Sequence, residues 1–112
     1  MRRLPQSIAA LTLAVAGLGL ASQVAAQGQS PSERGRMLLN DYCGRCHAVG
    51  KTGKSPHAAA PAFRTLGRSF DLDEFAGRLE RGLMPGHPDM PAFKFEHDDA
   101  RAVAAYLRDI QE

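Results

Sequence analysis

Both cysteines of this 112-residue chain fall within one short stretch, Cys43-Gly44-Arg45-Cys46, and His47 follows directly. A domain of this size has only a small apolar core, and its stability is commonly marginal on that core alone. Such domains lean on disulfides, metals or another bound group. A Cys43–Cys46 disulfide would close a tiny loop and remove little entropy from the unfolded chain. The pair is therefore a poor staple for the fold. On a helical turn, residues three and four apart share a face. Cys43, Cys46 and His47 can then approach one object together, and what they hold decides what the rest of the chain must fold around.

The N-terminus reads as an export signal. Arg2 and Arg3 precede the apolar run Ile8–Ala21, and Ser22-Gln23-Val24-Ala25-Ala26 offers a cut after Ala26. The apolar run is short for a membrane span of about 20 residues. Removing the first 26 of 112 residues leaves 86, from Gln27 to Glu112. The division is thus a signal peptide over 1–26 and one domain over 27–112. The whole chain has 14 basic and 12 acidic residues, but Arg2 and Arg3 leave with the signal, so the domain is balanced. Net charge gives no case for nucleic-acid binding. No stable membrane insertion is expected after cleavage.

Periodicity in the remaining chain is helical. Ser30, Pro31 and Glu33 mark a helix start before Met37, Leu38 and Tyr42, which can face inward. Met37 reads as core. Residues 48–62 are rich in glycine, proline and alanine and read as an irregular loop. Phe63–Phe70 can hold a short helical turn. Asp71 and Glu74 cap a helix with Leu72, Phe75, Ala76 and Leu79 on one face, and Gly82 ends it. Residues 83–95 contain three prolines and cannot be a regular helix. Ala100, Val103, Tyr106, Leu107 and Ile110 repeat at helical spacing, with Asp98 and Asp99 in the first turn. No stretch alternates like a strand. The expectation is an all-α domain with two long loops, and long ordered loops in small domains tend to be functional.

Cys43-x-x-Cys46-His47 has the spacing of a c-type haem attachment site. Each thiol can add across a haem vinyl group, and His47 can bind the iron from one side. Three other readings exist. A thioredoxin-like pair needs a βαβ context, which is not visible. A structural zinc site needs a fourth ligand, to be found among His57, His87 and His97. A plain disulfide would leave His47 without a role. The export signal, the preceding helix and the lack of further cysteines favour haem.

The chain resembles a class I c-type cytochrome, of the short single-haem bacterial kind, over nearly all of residues 27–112. The likeness rests on Gly35 upstream of the cysteines, Ala59-Ala60-Pro61-Ala62-Phe63 after them, the late Met-Pro pairs and Ala104-Ala105-Tyr106-Leu107 in the last helix. It implies a cytochrome c-like fold, with terminal helices crossing around one covalently bound haem c and its iron. It implies that Gly35 and Tyr106 meet at that crossing. It also implies that the Pro61 carbonyl accepts the second N–H of His47, which orients the ring and raises its donor strength. Ala60 stands where the family usually has glycine, and Pro56 is the other proline in this loop.

The sixth iron ligand is sought in the Met-Pro loop. Met90, within Gly86-His87-Pro88-Asp89-Met90-Pro91, is preferred, with Met84 as fallback and the loop histidines as rivals. Phe63, Leu66, Leu72, Phe75, Leu79, Phe93, Phe95 and Leu107 are expected to wall the haem. Arg45, Lys51 and Lys54 could form a basic rim that steers an acidic partner. The resemblance implies a periplasmic one-electron carrier rather than an enzyme, with His47 and Met90 on the iron. Its partners would be a periplasmic dehydrogenase or a terminal oxidase or reductase, met as a monomer in transient complexes. The alternatives are a dedicated electron-accepting subunit of a periplasmic dehydrogenase, or a five-coordinate haem protein that binds or reduces a small ligand.

Overall fold

The computed structural model describes residues 28–84 and 86–112, so the expected signal over 1–26 lies outside the described residues. Three α-helices carry the fold: α1 Pro31–Cys43, α2 Leu72–Arg81 and α3 His97–Ile110. A 3-10 helix, Phe63–Arg68, lies between α1 and α2. Ser30 caps α1 by accepting from the Glu33 amide at 3.2 Å, with proline in the first turn. Asp71 does the same for α2, accepting from the Glu74 amide at 2.8 Å. Gly82 follows α2 with φ of 108°, a conformation that costs glycine little.

The terminal helices α1 and α3 pack on each other at Gly35. A Cβ built there would fall on the Ala102 carbonyl and stand 3.0 Å from Tyr106 Cβ. Tyr106 is thus at the crossing, but the tightest contact is to α3 backbone. Leu39, Val103 and Leu107 are the most completely buried large side chains. Ala100, Val103, Tyr106, Leu107 and Ile110 are all buried, as their spacing predicts. Leu79 and Ala76 of α2 close the core, with Leu72 and Phe75 half-buried beside it.

Met37 departs from its expected core position. It is 42% exposed, with its sulfur 2.8 Å from Gln29 Nε2. The inward row of α1 runs Gly35, Leu39, Cys43, in steps of four. Met37 sits two residues from Gly35, about 200° round the helix, and so points outward. Tyr42 is also more exposed than its spacing suggests, at 55%. Its ring leans on Phe95 at 5.4 Å and on Phe93 at 6.5 Å, between centroids.

Both long loops are tied down. In the first, the Phe63 amide donates to Ala48 O at 3.0 Å, the Ala48 amide to Ser55 Oγ at 3.0 Å, and Tyr106 Oη–H to Val49 O at 2.9 Å. In the second, Leu83 and Phe93 pair as an isolated antiparallel bridge, with N···O distances of 2.7 and 3.3 Å. That bridge closes the neck of the segment carrying Met84 and Met90. No helix among the described residues is long and apolar enough to cross a membrane.

Candidate functional site

The chain past α1 keeps one more helical turn. The Cys46 and His47 amides donate to Cys43 O at 3.2 and 3.0 Å. This local winding turns Cys43, Cys46 and His47 toward one space, as spacings of three and four require. All three line a cavity of about 820 Å³. Both cysteines are free thiols. Burial, and secondarily the neighbouring Cys46, push the Cys43 thiol up to about 11, so it is protonated at neutral pH.

His47 is held on two sides. Its ring stacks on Phe63, with centroids 4.6 Å apart and planes 9° from parallel. Its Nδ1 lies 2.8 Å from Pro61 O. A carbonyl only accepts, so Nδ1 carries the hydrogen and Nε2 keeps its lone pair. Nε2 has no protein partner among the described residues. Among the described residues, the carbonyl that meets the ring is thus that of Pro61 and not that of Pro56, the other proline of this loop.

The opposite wall comes from the second loop. His87, Pro88, Asp89, Met90, Pro91 and Phe93 line the cavity; Met84 does not. Met84 sits directly after the bridged Leu83 and is 82% exposed. Met90 is half-buried, and its amide donates to His87 O at 3.1 Å. His57 and His87 also line the cavity, whereas His97 lies away from it, on Glu80 at 3.1 Å.

Of the eight apolar residues expected as haem wall, Phe93 alone lines this cavity. Phe63, Leu66, Leu79, Phe95 and Leu107 instead form the core behind it, with Leu72 and Phe75 at its margin. Tyr42, Ala59 and Ala60 contribute wall that apolar periodicity misses. Their signal is position: Tyr42 adjoins Cys43, and Ala59 and Ala60 adjoin Pro61.

This donor set fits a c-type haem. Two free thiols, an imidazole nitrogen with a free lone pair and a thioether share one cavity, within the usual size range of ligand sites. A zinc site fits less well, because no group of three histidine, cysteine or acidic residues is arranged to hold a metal ion among the described residues.

Comparison with known proteins agrees. The family described as Cytochrome c matches residues 32–111. A relative named cytochrome c-552, from Bradyrhizobium diazoefficiens, is 29% identical over 90 residues, covering 80% of this chain and 85% of its own. Cytochrome c oxidase subunit 2 of Alkalihalophilus pseudofirmus is 30% identical over 112 aligned positions, covering 83% of this chain but 30% of that protein. No solved structure matches significantly. The helical fold with its terminal crossing, the thiol and imidazole cavity, and a family match spanning nearly all of the described domain lead to one conclusion: the chain belongs to the class I cytochromes c, electron-transfer proteins that carry covalently bound haem c with its iron.

Proposed function

We propose that this cytochrome is a periplasmic one-electron carrier in which Cys43 and Cys46 hold the haem as thioethers and His47 Nε2 and the Met90 sulfur bind the iron. The observation that carries the reading is that one cavity is lined by Cys43, Cys46, His47 and Met90 and not by Met84. The bound haem supplies reversible one-electron chemistry at iron. The chain's residues set its terms. Pro61 O fixes the His47 tautomer and strengthens it as a donor. A thioether opposite imidazole favours the reduced iron relative to paired imidazoles. Filling the sixth position also keeps small ligands off the metal, which argues against a five-coordinate, ligand-reducing protein.

Export is supported by the basic start, apolar run and small-residue cut of residues 1–26. Arg45 lines the cavity, and Lys51 and Lys54 are exposed on the adjoining loop. Together they suit a small, weakly held encounter with an acidic redox partner, such as a dehydrogenase or a terminal oxidase or reductase. A second reading, a dedicated electron-accepting subunit, is favoured by the relative in which a similar sequence forms 30% of an oxidase subunit.

The test uses protein made in a haem-attaching host. Intact mass should equal the chain from Gln27 plus one haem, and the protein should fractionate with the periplasm. The oxidised spectrum should show the weak red band of sulfur on iron. Met90→Ala should abolish that band and Met84→Ala should keep it; the reverse pattern would overturn the ligand assignment. Retention of a stoichiometric enzyme through purification at native expression would favour the subunit.

A further inference from the structure

His57 joins the two loops that wall the cavity from opposite sides. His57 belongs to the loop after the attachment turn, and its amide donates to Cys46 O at 3.1 Å. Its ring meets the ring of His87 edge-on, with centroids 5.6 Å apart and planes 80° from parallel. This is the favourable edge-to-face arrangement of aromatic rings. His87 in turn accepts the Met90 amide through its backbone carbonyl at 3.1 Å. A continuous series of contacts therefore runs from Cys46 through His57 and His87 to Met90.

The hydrogen on the His57 ring is also placed. The Ala59 amide donates to His57 Nδ1 at 3.2 Å, so Nδ1 is an acceptor and the ring hydrogen sits on Nε2. Nε2 is the atom facing Asp89 Oδ2, at 3.7 Å. That separation is longer than a hydrogen bond, but a donor faces a carboxylate and the sign is attractive. Neither feature needs His57 to be charged. The second loop otherwise has its neck bridge at Leu83 and Phe93, the contact of Phe93 with Tyr42, and its own internal turn. Among the described residues, the ring contact and the ion-pair approach that join the His87–Asp89 end of the loop to the opposite wall both come from His57.

We propose that His57 is a positioning residue, a latch that holds the Met90 loop across the cavity and so keeps the sixth coordination position closed to external ligands. The proposal rests on Met90 being the iron ligand. An external ligand can displace a loop ligand only by opening the loop, so its apparent affinity reports the closed-to-open balance. Removing one edge-to-face contact should shift that balance by about three- to tenfold.

The experiment titrates oxidised, haem-loaded protein with imidazole and follows loss of the red sulfur band. His57→Ala should raise apparent imidazole affinity by about three- to tenfold. His57→Phe, which keeps a ring for His87 but offers Asp89 no donor, should restore at least part of the difference. His87→Ala should reproduce most of the His57→Ala effect, and the double variant should not exceed His57→Ala by much, since both remove the shared ring contact and His57→Ala also removes the donor facing Asp89. An affinity for His57→Ala within about twofold of the parent, or fully additive singles, would overturn the latch. A Met90→Ala protein that still shows the red band would instead overturn the ligand assignment on which it rests, so the two failures are distinguishable.

Discussion

Tyr106 shows how one residue joins the helix crossing to the haem-side loop. Its Cβ lies at the Gly35 contact, while its hydroxyl donates to Val49 O at 2.9 Å, two residues beyond His47. Tyr106→Phe keeps the ring and removes that bond, leaving a buried carbonyl short of a donor. A loss of about 1–2 kcal/mol at neutral pH follows, to be measured by denaturant unfolding of the haem-loaded protein. Burial raises the Tyr106 pKa above the usual value, with Arg36 opposing it in part. As pH rises past about 10, the unfolded tyrosine loses its proton first. The folded state then binds more protons than the unfolded state, and stability falls with rising pH. The stabilisation is complete below the unfolded value and is lost as pH climbs through the folded one. The gap between parent and Tyr106→Phe should therefore narrow above about pH 10; a constant gap would show that the hydroxyl does not titrate with unfolding. Tyr106 is readable in the sequence as a core residue by its spacing. Its bond to Val49 is not, because the acceptor is a backbone carbonyl, which no residue type encodes.

At the scale of elements, the fold depends on how closely α1 approaches α3. Gly35→Ala sets two effects against each other. Alanine gains about 1 kcal/mol of helix propensity over glycine. Its Cβ, however, would overlap the Ala102 carbonyl and carbon of α3, the latter at 2.6 Å. Backbone cannot rotate away as a side chain can, so the helices must separate and the Leu39–Val103–Leu107 packing opens. Overpacking of this kind costs about 1–3 kcal/mol, and against backbone it falls in the upper part of that range, giving a net loss of about 1–2 kcal/mol. Gly50→Ala is the control: a Cβ there meets nothing within 4 Å, and its stability should stay within about 0.5 kcal/mol of the parent. Equal stability of the two variants would remove the crossing from the account. Elements are where the sequence is most legible, since caps and periodicity act locally. Ser30, Asp71 and Gly82 all sit where their chemistry predicts. Facing is less legible. Periodicity marks Phe63, Leu66, Leu79 and Leu107 as buried but does not say whether they meet the cavity or the core behind it. Met37 is misjudged for the same reason: its apolar type says core, while the row set by Gly35 says otherwise.

Over the whole molecule, charge is segregated although the balance is near neutral. Residues 42–70 hold Arg45, Lys51, Lys54, Arg64 and Arg68 and no acidic residue. Arg64 and Arg68 turn to Glu112, at 3.2 and 3.6 Å, which leaves them partly neutralised. Arg45, Lys51 and Lys54 have no ion pair among the described residues and all three are exposed, Arg45 lining the cavity and the two lysines on the loop that follows the attachment turn. By contrast, Asp73, Glu74 and Asp99 pair with Arg108, Arg78 and Arg34. Arg36, Arg81, Lys94 and Arg101 also lack an ion pair among the described residues, and Asp41 and Asp89 line the cavity, so the three cations of residues 42–54 supply the positive part of a mixed rim. An electron donor or acceptor that reaches the haem by that rim must pass these charges. Small inorganic reagents of opposite charge test it without any assumption about the natural partner. Replacing Arg45, Lys51 and Lys54 together by glutamine should slow oxidation by hexacyanoferrate(III) about three- to tenfold at low ionic strength. It should speed electron exchange with a cationic ruthenium hexaammine couple. Both differences should shrink as salt shortens the screening length to about 8 Å. Equal rate changes for the two reagents would mean that the substitutions altered the haem site itself. Unchanged rates for both would mean that electrons leave by a face remote from Arg45, and the three cations would then be a solvated loop with no part in steering.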